Sequence, residues 1–194
     1  MNFFGGALNR SSPKELFMDY FELIEKRESC RKFDGRAVEQ DKLMRCIEAA
    51  RIAPSACNGQ PWSFILVTED ALVNAVRDAV QGQGMNKFCD NCNSFIVVIE
   101  EDTVLTSRIG AMIKHTDFKP IDIGIATAHL VLAATAQGVA TCILGWFAEK
   151  KLKEAFHIKS SKRVKLVIAL GYAASDTLRE KRRKKLEDIC IIKS

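Results

Sequence analysis

The sequence predicts an α+β fold, built as one domain over residues 1–194. Three observations carry that reading. Four short apolar runs have the length and residue types of strands, helical hydrophobic periods lie between them, and no repeat or linker divides the chain. A chain of this length can bury a sizeable core.

The elements follow in order. Residues 1–11, rich in Gly and Asn, should form a loose arm. Ser12-Pro13-Lys14-Glu15 spells a capping box with Pro at the first helical position. It predicts a helix to about Lys26 with Leu16, Phe17, Tyr20, Leu23 and Ile24 on one face. A charged stretch over 27–35 precedes a second helix over 39–52, where Leu43, Ile47 and Ala50 keep helical spacing and Pro54 marks the stop. WSFILVT at 62–68 reads as a buried strand, 70–80 as a helix, Gln81-Gly82-Gln83-Gly84 as a break and FIVVIE at 95–100 as a second strand. Residues 101–120 have no clean period. The strongest helix is 121–137, rich in Ala and apolar nearly all round. Such a helix is buried on most sides, which in a small chain a subunit interface explains. Gly138 suits a left-handed cap. Strands at 141–146 and 164–172 flank a short helix at 149–156, and 189–192 adds a further short strand after a basic tail.

Composition narrows the class. Hydrophobic residues at 47% and charged residues at 27% are ordinary for a globular protein. No apolar run reaches the ~18 residues of a membrane span, so no membrane association is expected. Residues 1–10 lack a basic segment ahead of an apolar one, so no signal peptide is read and a cytoplasmic location is expected. The net charge of +5 is uneven, because residues 179–185 read REKRRKK. That run suits a solvated tail, a nucleic-acid footprint or a local phosphate clamp. A footprint needs interleaved aromatics or a binding module, and neither is visible, so no nucleic-acid partner is expected. The seven cysteines, Cys30, Cys46, Cys57, Cys89, Cys92, Cys142 and Cys190, are an odd number and should be thiols. Cys89-x-x-Cys92 lacks the second ligand pair of a metal site, so no metal is expected.

Further negatives restrict the chemistry. Gly82-Gln83-Gly84 has Lys87 where a dinucleotide fingerprint needs its third Gly, and no phosphate-binding loop or H-E-x-x-H motif occurs. The three histidines, His115, His129 and His157, are too few and too scattered for a histidine metal site or triad, and His129 reads as a satisfied core residue. Two clusters remain. Arg27, Ser29 and Arg31 alternate in an extended or turning segment, where guanidinium groups bind phosphate bidentately and a hydroxyl adds a bond; a plain basic loop is the other reading. Residues 53–62 combine a helix stop with Asn58 and Gln60, whose amides suit the donor–acceptor edge of a planar heterocycle; a well-made turn is the other reading.

Together and in this order, the two clusters resemble the nitroreductase family. Arg27-x-Ser29-x-Arg31-x-Phe33 and Pro54-Ser55-x-x-Asn58-x-Gln60-Pro61-Trp62 match its two opening segments. Asp122-x-Gly124-x-Ala126, Gln137-Gly138-Val139-Ala140-Thr141, Leu170-Gly171-Tyr172 and Lys181-x-Arg183 follow in the family's order, so the likeness covers most of residues 20–190. The resemblance implies a central, mostly antiparallel sheet flanked by helices in an intertwined homodimer. It implies bound FMN and ping-pong transfer of hydride from NAD(P)H (NADPH among the donors) through flavin N5 to a nitroaromatic, quinone or enone. No catalytic side chain is implied, because the flavin carries the chemistry. By position, Arg27, Ser29 and Arg31 would hold the ribityl phosphate and the pyrimidine side. Pro54, Ser55, Ala56, Asn58 and Gln60 would reach the flavin from the other subunit, and Asn86 would add a polar contact. The backbone at Leu144 and Gly145 would face N5, and Lys181 and Arg183 would close on the phosphate. The same motifs would serve dehalogenation, flavin destruction or a non-enzymatic redox sensor using Cys89 and Cys92. The chain departs from the family at Glu28, where a basic residue or His is common, and that side chain is expected to turn away or pair with Lys32. Trp146 is expected to narrow the pocket, and residues 101–120, in the place of a lid, carry no recognisable motif.

Overall fold

A computed structural model describes residues 19–102 and 116–193. The expected arm, the capping box at Ser12, His115 and most of the 101–120 segment lie outside the described residues. The described chain forms helices α1 (Tyr20–Lys26), α2 (Gln40–Arg51), α3 (Asp70–Val80), α4 (Lys119–Ala136) and α5 (Glu149–Ala155). Strands β1 (Trp62–Val67), β2 (Ser94–Glu100), β3 (Ala140–Leu144) and β4 (Arg163–Gly171) form one sheet in the order β1-β2-β4-β3. Every neighbouring pair is antiparallel. No described helix is long and apolar enough to cross a membrane.

The central strands explain their own sequences. Side chains alternate across a sheet, so a run that is apolar at every position needs cover on both faces. Phe95, Val97 and Ile99 of β2 join Val167 and Ala169 of β4 in a core shared with α3 and α5, through Val73, Val76, Ala79 and Leu152. Ile96 and Val98 join Ile168 and Leu170 in a second core, with Leu43 and Cys46 of α2 and Ala126, Leu130 and Ala134 of α4. Part of the outer stripe of α4 stays open in the protomer: Ile121 is 54% exposed, Ala128 is exposed, and His129 and Leu132 are half-buried. His129 therefore lies on the outer stripe and not in the core. Gly138 follows α4 at φ 72°, the left-handed conformation its place suggests.

Two local expectations are corrected. A helix running unbroken to Lys26 is interrupted at Asp19, which has ψ 148° and whose carboxylate accepts the Phe21 N–H at 3.2 Å, so the first described helix starts at Tyr20; the expected opening at Ser12-Pro13 lies outside the described residues. No residue of α1 is buried. Residues 189–192 form no strand: Leu186–Asp188 is one 3-10 turn, and the isoleucines after it pair with no strand edge among the described residues.

Candidate active site

The first cluster is laid along the end of the sheet. Arg27 closes α1, its N–H donating to Leu23 O at 3.0 Å. Ser29 bridges Thr141 of β3, and the Cys30 N–H donates to Thr141 O at 2.8 Å. Phe33 packs on Gly171 so closely that a Cβ there would stand 2.8 Å from the ring. This contact ties the Phe of one motif to the Gly of another. The Ala174 N–H donates to Lys32 O at 2.9 Å, so the segment is pinned at both ends. Beyond β4 the tail folds back over it. Lys181 Nζ donates to Ile24 O at 3.0 Å and to Glu25 O, in the negative last turn of α1. Arg27, Ser29, Arg31, Lys181 and Arg183 thereby line one open pocket of about 320 Å³. Partial desolvation lowers the Lys181 pKa, and so do the neighbouring charges of Arg27 and Arg183. Three cations that repel one another in one pocket suit an anion, and a phosphate monoester fits that donor set.

Glu28 sits in the same pocket and does not pair with Lys32. Its Oε2 accepts the Arg179 N–H at 3.3 Å and Nε at 3.4 Å, while the Arg179 guanidinium also donates to Ser29 O. Arg179 is thus a pocket residue that the sequence reading did not single out; its only signal was the basic run around it.

The second cluster is a compact loop between α2 and β1. Cys57, Asn58 and Gln60 have φ of 50°, 52° and 44°, a left-handed conformation that costs non-glycine residues roughly 1–3 kcal/mol each. Hydrogen bonds hold it. The Ala56 N–H donates to both carboxylate oxygens of Asp122, at 3.1 and 3.2 Å, and the Gln60 N–H donates to Ser55 Oγ at 3.0 Å. Gln60 Nε2 donates to Asn58 Oδ1 at 3.1 Å. Asp122, in the first turn of α4, is only 4% exposed. Pro54, Asn58 and Gln60 are exposed in the protomer. This loop feeds β1, whereas the basic cluster lies against β3, at the opposite edge of the sheet. Three strand spacings, about 14 Å, separate those edges.

The third group surrounds the end of β3. Leu144 is buried, while Gly145 and Trp146 are exposed. Asn86, itself at φ 51°, donates from Nδ2 to Val80 O at 3.0 Å and to Trp146 O at 3.1 Å. Both amide hydrogens are engaged, which leaves Oδ1 as its remaining polar atom. Nearby, Arg77 holds the Cys89 and Cys92 carbonyls at 3.1 and 3.0 Å. Both thiols are fully buried, and burial raises both pKa values, that of Cys92 to about 12. Among the described residues no group of three or more His, Cys, Asp or Glu side chains is placed to hold a metal ion.

Fold and site together define a class: a helix-flanked antiparallel sheet with a basic anion pocket at one edge and a hydrogen-bonded left-handed loop at the other. The model of the nitroreductase family matches residues 24–172, and the chain belongs to that family. A Streptococcus pyogenes serotype M6 protein named for NAD(P)H nitroreductase activity is 27% identical, over 80% of this chain and 90% of its own. The crystal structure of a nitroreductase family protein from Clostridium novyi NT is 32% identical over 80% of this chain and 86% of that one, with a TM-score of 0.68. A nitroreductase-type structure from Exiguobacterium sibiricum, solved in complex with FMN, has a TM-score of 0.75 at 20% identity, covering 91% of this chain and 98% of that one.

Proposed function

We propose that this protein is an FMN-dependent NAD(P)H oxidoreductase that works as a homodimer. The observation that carries the reading is the convergence of Arg27, Lys181 and Arg183 on one pocket beside Ser29 and Arg31. Family membership supports it, as do the name of the Streptococcus pyogenes relative and the FMN in the Exiguobacterium sibiricum structure. FMN has one terminal phosphate and no adenosine half, which suits a single anion pocket with no dinucleotide motif.

When bound, FMN supplies the redox chemistry, taking hydride at N5 and passing electrons to a small acceptor such as a nitroaromatic, quinone or enone. The protein's part is to bind and tune. Arg27, Lys181 and Arg183 hold the phosphate, and the Ser29 hydroxyl adds a neutral bond. Arg31 places a positive charge where negative charge grows on reduction. The Leu144–Gly145 backbone and Asn86 Oδ1 line the approach to the ring, and Trp146 narrows it. Pro54, Ser55, Ala56, Asn58 and Gln60 of a second copy complete the site. No side chain is needed as general acid, since solvent can deliver protons.

The test is the absorbance spectrum of purified protein, the flavin released from it and its steady-state NAD(P)H turnover. One FMN per chain with turnover is the expected result. Tight FAD binding with indifference to FMN would overturn the cofactor, and bound FMN without turnover would overturn the enzyme.

A further inference from the structure

The anion pocket is assembled from two stretches of chain about 150 residues apart. Arg27, Ser29 and Arg31 are fixed to the sheet through Thr141 and Gly171. Lys181 and Arg183 are not fixed in that way. Residues 174–185 contain no helix or strand, and 174–180 are exposed at every position. What draws this tail over the pocket is short: Lys181 on the end of α1, and Arg179 on Glu28 and Ser29 O.

A carboxylate in an anion pocket is a liability by Coulomb's law alone, since it repels the phosphate. Yet the Glu28 side chain is only 20% exposed and is directed at residue 179, accepting from its backbone N–H and from its guanidinium. The backbone contact fixes the course of the tail two residues before Lys181, and the guanidinium, which also donates to Ser29 O, holds it there. Resting on the phosphate reading above, we propose that Glu28 and Arg179 form a clasp that positions Lys181 and Arg183 opposite Arg27 and so completes the phosphate site. Glu28 is a positioning residue, whose charge is spent on Arg179.

The clasp and the bystander reading differ in sign. If Glu28 only adds negative charge, Glu28→Ala tightens FMN binding. If it is the clasp, Glu28→Ala releases the tail and weakens binding. The experiment uses the full chain and two readouts. Flavin-fluorescence titration gives FMN affinity for wild type, Glu28→Ala, Glu28→Gln and Arg179→Ala. Hydrogen exchange without flavin gives the protection of residues 177–183. The expected result is an affinity loss of about tenfold or more for Glu28→Ala and Arg179→Ala, the scale of one charge-assisted contact. Exchange at 177–183 should be faster in both while β2 and β4 exchange as in wild type. Glu28→Gln keeps an acceptor for the Arg179 N–H and should stay within about threefold of wild type. Unchanged or tighter FMN binding by Glu28→Ala, unchanged tail exchange, or a Gln variant as weak as Ala would each overturn the clasp. If wild type binds no flavin, the FMN reading fails and the exchange measurement still decides the clasp.

Discussion

At the scale of single residues, Arg27 is the test of the phosphate pocket. It is half-buried at the end of α1, and its charge lowers the Lys181 pKa. Arg27→Ala removes one charge-assisted contact of about 1.5–3 kcal/mol. FMN should then dissociate roughly tenfold to a hundredfold more readily. Turnover at saturating FMN should recover, because phosphate binding is common to both redox states. Titration beside steady-state kinetics checks both halves, and a turnover defect that persists at saturation would move Arg27 from the phosphate to the reacting ring. The buried thiols give the opposite expectation. Cys89 and Cys92 are fully buried, and burial pushes both pKa values above the ordinary thiol value of 9.0. A thiol with a raised pKa is a poor nucleophile and a poor redox sensor. Alkylation mapped by mass spectrometry should find both unreactive until the protein unfolds. A raised folded-state pKa also gives a sign for stability. The contribution is complete below pH 9.0 and is lost as pH rises through the Cys92 value of about 12. Alkaline unfolding should therefore become less steep in Cys92→Ala, and an unchanged pH profile would show that this thiol is not titrating as its burial requires.

At the scale of elements, the central strands were legible in the sequence and the tail was not. The runs at 95–100 and 164–172 name the two central strands because cover on both faces favours apolar residues at nearly every position, with Lys165 an exception, and the run at 62–68 names the edge strand β1. The break at Asp19 was not legible because that residue, which caps the first described helix, looks in sequence like one more polar residue on an amphipathic helix. The Glu28–Arg179 pair was invisible because no local pattern links residues 151 apart. Asp122 was visible only as a letter in a motif; its task of holding the Ala56 N–H appears once α4 is packed beside the loop. Asp122→Ala leaves that amide without its acceptor, at about 1–3 kcal/mol. Asp122→Asn keeps an acceptor and should recover much of the loss. Chemical denaturation of the two variants decides this, and equal stability of Ala and wild type would remove Asp122 from the account. A second tie joins α2 to the end of β4. The Tyr172 hydroxyl donates to Glu39, and Lys42 Nζ donates to that hydroxyl at 2.7 Å. The Tyr172 hydrogen bond is the largest cause that lowers the Glu39 pKa, to about 2. A depressed carboxylate stabilises above its ordinary value of 4.5 and stops doing so as pH falls toward 2. Tyr172→Phe should flatten acid unfolding across that window, and a profile that overlays wild type would show the tie to be idle.

At the scale of the whole molecule, the two halves of the candidate site stand apart within a protomer, about three strand spacings from each other. The basic pocket lies against β3 and the left-handed loop enters β1, at opposite edges of the sheet. The protomer also leaves apolar surface uncovered: Ile121 on α4, and Leu186, Ile189, Ile191 and Ile192 in the tail, the last 89% exposed. Exposed apolar side chains of this kind are what a subunit interface would bury. Two copies related by a two-fold axis would cover them and bring the pocket of each to the loop of the other. That arrangement makes a prediction that monomeric models do not share. One variant carries a damaged pocket, Arg27→Ala with Lys181→Ala; the other carries a damaged loop, Asn58→Ala with Gln60→Ala. Each alone should bind FMN weakly. After subunits are mixed in equal amounts and allowed to exchange, random pairing gives half mixed dimers, each with one intact site, so about a quarter of wild-type FMN sites should return. Mixing without recovery, under conditions where tagged subunits are seen to exchange, would place pocket and loop in separate sites and remove the main reason for the dimer.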